Sequence, residues 1–252
     1  LITDPSDGRL PPLLPATGAC ALTAAVSLSR PAVSMGAPGV LVMPPFFFKN
    51  PGDDGLFAYY SEIIERVGSE QLAIYLYHIP QLSFAPITLG LIERLLARYP
   101  KTVLGAKDSS GDWANAKAMI ERFAGRGFAV FPACESLLTQ ALAMGGAGCI
   151  SATVNMNPAG IHALFAGWHT GQGEALQAKA DAIRKIFQAT SMIPAMKRVL
   201  AECSGDPAWR TVRPPLCALD DAPAGTLMAA LRAVGFAMAD HPACGGLSGA
   251  LL

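Results

Sequence analysis

Short apolar runs alternate with amphipathic stretches along most of the chain. Strand-like runs occur at residues 11–17, 39–47, 72–80, 102–110, 128–136 and 148–155. Helical patterns separate them, as at 53–68 and 112–125. Apolar strands joined by amphipathic helices indicate a parallel sheet covered by helices, because both faces of such a sheet must be buried. The pattern predicts six βα units in an α/β fold.

The last third of the chain lacks strand-like runs. Three helical patterns follow one another at 173–189, 191–204 and 221–237, which predicts a C-terminal helical extension. The βα repeat suits either a doubly wound sheet or a (β/α)₈ barrel, and a barrel needs two strands more than the six predicted. We therefore expect a barrel portion over 1–172, the extension over 173–238 and a flexible Gly- and Ala-rich tail over 239–252.

Composition narrows the class of partner. The 252 residues carry 19 basic and 19 acidic side chains, so no general attraction to nucleic acid or to an anionic membrane is expected. Prolines and charges interrupt every apolar stretch before about 18 residues, and no secretory signal is recognisable, so no membrane span is predicted. A small neutral or anionic metabolite is the expected partner.

The six cysteines are scattered, without a C-x-x-C pair or a neighbouring histidine cluster. This usage predicts reduced thiols in a cytoplasmic protein, and neither a metal nor a cofactor is expected.

One lysine lies inside an apolar run. In "TVLGAKDSS", Lys107 stands near the carboxyl end of a predicted strand, where α/β enzymes place catalytic groups, and it shares a face with Gly105. Only a neutral amine attacks a carbonyl, and burial among apolar side chains favours the neutral form of lysine. Lys107 is thus a candidate nucleophile; the alternative is a lysine whose stem packs while its head reaches solvent.

A second candidate lies in "YLYHIP". Tyr75 and Tyr77 share a strand face, and a tyrosine hydroxyl can relay a proton to and from a carbinolamine. Two aromatic residues at a strand end are also typical of a core. His78 falls on the opposite face and is interpreted as a packing or hydrogen-bonding residue rather than a base.

The glycine-rich segment "AMGGAGCIS" does not predict a phosphate site. Gly145, Gly146 and Gly148 precede a predicted strand, whereas ligands bind in the loops that follow strands. Neither of the usual glycine-rich nucleotide motifs is present.

Three segments together carry a resemblance. "Y-x-I-P" at 77–80, "G-x-K-D-S-S-G-D" at 105–112 and "GGAGCIS" at 145–151 resemble the dihydrodipicolinate synthase/N-acetylneuraminate lyase family in sequence, order and spacing. The likeness extends from "ATGACALTAAV" to about Phe236. It implies a (β/α)₈ barrel with a C-terminal helical extension, usually a homotetramer, that binds pyruvate or a related 2-oxo acid as a Schiff base and acts on it together with an aldehyde.

The resemblance also assigns residues. Lys107 matches the Schiff-base lysine, Tyr77 the proton-relaying tyrosine, and Ile150 the apolar residue beside bound pyruvate. Ala133 stands where the family often has glycine and would narrow the floor of the site.

Departures from the family pattern bear on the substrate. Phe47 takes the place of a second tyrosine, and Leu82 that of an arginine that binds the carboxylate of the semialdehyde substrate. The segment "G-T-T-G-E", which holds the 2-oxo acid carboxylate in the family, has no counterpart, and the chain begins at Leu1 without methionine. We therefore expect the first two βα units to be absent from this chain.

Three functions remain open at this stage. The first is a Schiff-base lyase or aldolase that is not a true dihydrodipicolinate synthase. The second is a catalytically inactive, truncated or degenerate barrel that binds only a ligand or partner, motivated by the absent carboxylate-binding segment. The third, a phosphosugar-handling barrel, requires anion-binding loops that the sequence does not show.

Overall fold

The structure is a computed structural model that describes residues 13–238. Strands and helices alternate up to residue 132, and helices follow. The strands are β1 (Val40–Val42), β2 (Ile74–His78), β3 (Val103–Asp108) and β4 (Ala129–Pro132). The helices are α1 (Leu22–Ser34), α2 (Gly52–Val67), α3 (Pro80–Ser83), α4 (Leu89–Arg98), α5 (Trp113–Phe123), α6 (Leu138–Ala143), α7 (Pro158–Gly167), α8 (Gly173–Gln188), α9 (Met192–Ser204) and α10 (Asp221–Ala233).

The four strands form one parallel sheet in the order β1-β2-β3-β4. Because neighbours in the sheet are also neighbours in the chain, each crossover passes through helical structure that covers the sheet. The predicted α/β class with a parallel sheet is therefore confirmed.

Two of the six predicted strands do not form as strands. The run at 11–17 contributes only a bridge between Ala16 and Leu41, because prolines such as Pro15 have no N–H to donate to a ladder. Just before the run at 148–155, Ala147 N donates to Val130 O in the sheet, and the run itself then enters a 3₁₀ turn at Ala152–Asn155. The prediction of six strands is thus wrong for the described residues, which contain four.

The chain divides into two compact units. One comprises residues up to Ala133 together with Gln140–Cys149, and the other comprises Cys134–Thr139 and the residues from Ile150 onward. These units do not coincide with the predicted barrel portion and extension, a division that stays a prediction. The predicted tail at 239–252 lies outside the described residues.

The first unit has its core between the sheet and the helices. In α4 the buried residues Leu91, Ile92, Leu95 and Leu96 recur at helical spacing, so one face of the helix is apolar. The helix begins at a defined point because the Thr88 side chain accepts a hydrogen bond from Leu91 N. Such capped, one-sided helices cover one face of the sheet and leave its carboxyl edge for loops.

The second unit contains the three C-terminal helices that the sequence predicts. Helices α8, α9 and α10 pack together around a cluster that includes Phe187, Val199 and Leu231, each fully buried. Helices thus form where the three helical patterns predict them, although the third ends at Ala233 rather than 237.

A buried ion pair lies within the second unit. Arg184 Nη1 donates to Glu135 Oε2 at 2.7 Å, and the Glu135 side chain is 1% exposed. The hydroxyls of Ser151 and Thr153 also donate to the Glu135 carboxylate. A buried carboxylate is tolerated when it is paired and hydrogen-bonded, and here both conditions hold.

Cysteine chemistry differs from the expectation at one position. Cys20, Cys134 and Cys217 are free thiols, but Cys203 is disulfide-bonded, so the prediction of six reduced cysteines is wrong. Within residues 13–238, none of the helices combines the length and apolar character needed to cross a membrane.

Replacing Arg184 with methionine is expected to lower the free energy of unfolding by about 3–5 kcal/mol, because it leaves the buried Glu135 carboxylate uncompensated. Urea unfolding measures the change. Arg122→Met is the matched control: it removes an ion pair with Glu93 in which both side chains are over a third exposed, so solvent screens the pair and the loss should be far smaller. Equal losses in the two variants would contradict the assignment.

Candidate active site

The two residues predicted to carry chemistry meet at the carboxyl ends of adjacent strands. Tyr77 on β2 and Lys107 on β3 are register partners, so their side chains leave the sheet side by side. Lys107 Nζ donates to Tyr77 Oη at 3.3 Å and lies 4.4 Å from the centre of the tyrosine ring. Both residues are half-buried. The pair thus combines a long hydrogen bond with a cation–π contact.

Beneath this pair, glycine is required for steric reasons. A Cβ atom on Gly105 would lie 2.3 Å from Ala129 O and 2.8 Å from Cδ1 of the Tyr75 ring, both far inside contact distance. The Tyr75 ring also meets Phe131 edge-on, with the ring centres 6.1 Å apart. Gly105 therefore makes room for Tyr75, which fills the layer below the Tyr77–Lys107 pair.

Asp108 organises the loop that follows the lysine. Its Oδ1 accepts from Ser110 N at 2.9 Å, and its Oδ2 accepts from Asn115 Nδ2 at 2.9 Å. Its carbonyl oxygen accepts from Ala133 N at 2.8 Å. Sequence reasoning did not single out Asp108, although an aspartate that precedes "S-S-G-D" is typical of a turn closed by its own side chain. The position of Lys107 is therefore supported by the residue next to it.

His78 lies behind the reactive pair. Its side chain is buried on the opposite sheet face from Tyr77, and Nδ1 accepts from Ile87 N at 3.0 Å. Burial lowers the pKa of His78, and the nearby Asp108 carboxylate opposes this shift. The interpretation of His78 as a packing and hydrogen-bonding residue is thus confirmed as far as its contacts go.

The other predicted site residues lie on different elements of the chain. Ala133 follows β4 and is tied to the end of β3 through its N–H. Phe47 lies in the loop after β1 and Leu82 in the short helix α3 after β2, with exposed fractions of 73% and 65%. Ile150 belongs to the second compact unit, where it is half-buried.

The arrangement suits covalent chemistry on a carbonyl compound. An amine beside a phenol provides a nucleophile and a group that both donates and accepts protons. Among residues 13–238, no three His, Cys, Asp or Glu side chains are grouped in a way that could hold a metal ion.

Comparison with known proteins defines the family. The model of the dihydrodipicolinate synthetase family matches residues 3–234. An uncharacterized DapA-like lyase from Chloroflexus aurantiacus is 36% identical over 85% of this chain and 71% of its own length. A 4-hydroxy-tetrahydrodipicolinate synthase from Methanoculleus marisnigri is 32% identical over 86% of this chain and 72% of its own.

Solved structures of the same family resemble this chain. YagE, a prophage protein of the dihydrodipicolinic acid synthase family from E. coli solved in complex with pyruvate, has a TM-score of 0.81 at 25% identity. That match covers 91% of this chain and 77% of YagE. A dihydrodipicolinate synthase from Acinetobacter baumannii, complexed with pyruvate, has a TM-score of 0.77 at 26% identity. That match covers 90% of this chain and 76% of the Acinetobacter chain. The chain therefore belongs to the dihydrodipicolinate synthetase family.

Proposed function

We propose that the protein is a class I lyase or aldolase that forms a Schiff base between Lys107 and pyruvate or a related 2-oxo acid. The observation that carries the proposal is the 3.3 Å contact between Lys107 Nζ and Tyr77 Oη. Family membership supports it, and the two solved relatives named above were obtained with pyruvate. In this contact a phenol, which can both donate and accept a proton, lies beside Lys107 Nζ, the atom proposed to attack the keto carbon.

The chemistry proceeds in balanced steps. The neutral Lys107 amine attacks the keto carbon to give a carbinolamine, and Tyr77 returns a proton to the departing hydroxyl, which leaves as water. The resulting iminium withdraws electrons from the neighbouring carbon, which loses a proton to the Tyr77 phenolate to form an enamine. The enamine attacks an aldehyde, whose oxygen takes the proton from Tyr77, and water then hydrolyses the product iminium to free the Lys107 amine. The reverse sequence cleaves a carbon–carbon bond. No redox partner is required.

The remaining site residues are proposed to define the substrate. Ile150 and Ala133 would contact the bound 2-oxo acid, as the family resemblance implies. Phe47 has no hydroxyl with which to relay a proton, and Leu82 has no cation with which to bind a carboxylate. We therefore place the protein outside the true dihydrodipicolinate synthases, with a second substrate that does not need those groups.

The four strands are proposed to be part of a (β/α)₈ barrel, as the solved relatives suggest. A homotetramer and a cytoplasmic location, both expected from the sequence and the resemblance, stay predictions.

Incubation with pyruvate and borohydride should add one reduced adduct, detected as a mass increase of the intact protein. Lys107→Met should abolish the adduct, whereas Lys101→Met, which changes an exposed lysine just before β3, should keep it. Tyr77→Phe retains the ring but loses the proton relay, so adduct formation should slow by about 100-fold or more. An unlabelled wild-type protein would favour the alternative of an inactive, ligand-binding barrel.

Leu82→Arg tests the assignment of the second substrate. Leu82 is largely exposed, so an arginine fits there and could bind the carboxylate of aspartate semialdehyde. A hydrogen-bonded charge pair of this kind is worth about 1.5–3 kcal/mol, which corresponds to roughly a tenfold or greater rise in kcat/KM for condensation with pyruvate. Leu82→Met should give no rise. Efficient condensation by the wild type, unchanged in Leu82→Arg, would contradict the assignment.

A further inference from the structure

His78 joins three segments at the carboxyl edge of the sheet. It is the last residue of β2, and its carbonyl oxygen accepts from Ser109 N, in the loop after β3, at 2.7 Å. Its ring accepts from Ile87 N, just before α4, at 3.0 Å. His78 therefore ties the end of β2 to the loop after β3 and to the segment before α4.

The position of His78 couples it to the reactive pair. Tyr77 precedes His78 in β2. The register partner of His78 is Asp108, which follows Lys107 in β3. Since β2 ends at His78, the backbone on the carboxyl side of Tyr77 is held by this last pair with Asp108 and by the contacts of the His78 ring. A shift of this strand end would move the phenol relative to the amine.

The bond to Ile87 requires a particular state of the ring. Nδ1 accepts a hydrogen bond only when it carries no proton, which the neutral imidazole allows. Burial at 4% exposure lowers the pKa of His78, against the opposing effect of the Asp108 carboxylate. The ring is thus suited to act as a fixed acceptor at neutral pH, a role that a protonated histidine could not fill.

The His78 ring and its hydrogen bond to Ile87 N lie beside open space. His78 and Ile87 both line a cleft of about 570 Å³, together with residues of the loops after β2 and β3. Ile87 itself is buried, and in the described part of the chain its N–H bonds to His78 Nδ1. Without that acceptor, the segment before α4 has both a reason to move, in order to hydrate its N–H, and room in which to do so.

We propose that His78 is a positioning residue: by accepting the Ile87 N–H through Nδ1, it fixes the end of β2 and holds the Tyr77 hydroxyl beside Lys107 Nζ. This inference rests on the proposed Schiff-base function. It assigns His78 no contact with substrate and no proton transfer.

The test compares His78→Asn with His78→Leu, two replacements of similar size. The asparagine Oδ1 can take the place of Nδ1 as acceptor, and leucine cannot. The readout is the rate of borohydride-trapped adduct formation across a pyruvate concentration series. We expect the maximal rate of His78→Leu to fall by about tenfold or more, with a smaller change in the half-saturating concentration, because proton relay is affected rather than binding. His78→Asn should remain within about threefold of wild type.

Two further variants keep the test decisive. Ser29→Ala removes buried hydrogen bonds to Thr17 and Ala25 in the same unit, so it should lower stability but leave the labelling rate unchanged. If His78→Leu does not fold, His78→Gln replaces it, since glutamine places its amide nearer the position of Nε2 and should label slowly.

The outcomes separate the two proposals. A wild-type labelling rate in His78→Leu or His78→Gln, or equally slow labelling in His78→Asn, would overturn the positioning role. A wild-type protein that is not labelled at all would instead overturn the proposed function, before any variant is compared.

Discussion

The parallel pairing of β2 with β3 is the constraint on which the site depends. The register sets Tyr77 opposite Lys107 and Tyr75 opposite Gly105. Since side chains alternate between faces, a slip of one residue would send the lysine and the tyrosine to opposite sides of the sheet. Tyr75 packs against Gly105 in this register, and any larger residue at 105 would meet both a ring and a backbone oxygen. The packing of Tyr75 against Gly105 therefore supports the register that brings Tyr77 beside Lys107.

The two faces of the sheet at the ends of β2 and β3 carry different kinds of side chain. One face presents Tyr77 and Lys107, half-buried and in contact. The other presents His78 and Asp108, both buried and both hydrogen-bonded to loop backbone. Buried polar groups are stable only when they are satisfied, and satisfying these two orders the loops that surround the reactive pair. The hydrogen bonds that order the loops are thus made on the face opposite the Tyr77–Lys107 pair.

Much of this could be predicted from the sequence, and the failures have physical reasons. Alternation and helical spacing located the four strands and the helices after residue 172, because those patterns reflect burial directly. The face shared by Gly105 and Lys107 followed from the same rule. The strand predictions at 11–17, which contains Pro15, and at 148–155, which begins at Gly148, were wrong. Apolar character alone does not show whether a segment can form the hydrogen bonds of a ladder. The pairing of Glu135 with Arg184, 49 residues apart, has no local signal.

The most direct test of the central claim is a crystal structure of the protein grown with pyruvate. The account predicts continuous electron density from Lys107 Nζ to C2 of the 2-oxo acid, with Tyr77 Oη within hydrogen-bonding distance of the new linkage. Density for an unmodified Lys107 at saturating pyruvate, or an adduct on a different lysine, would contradict it.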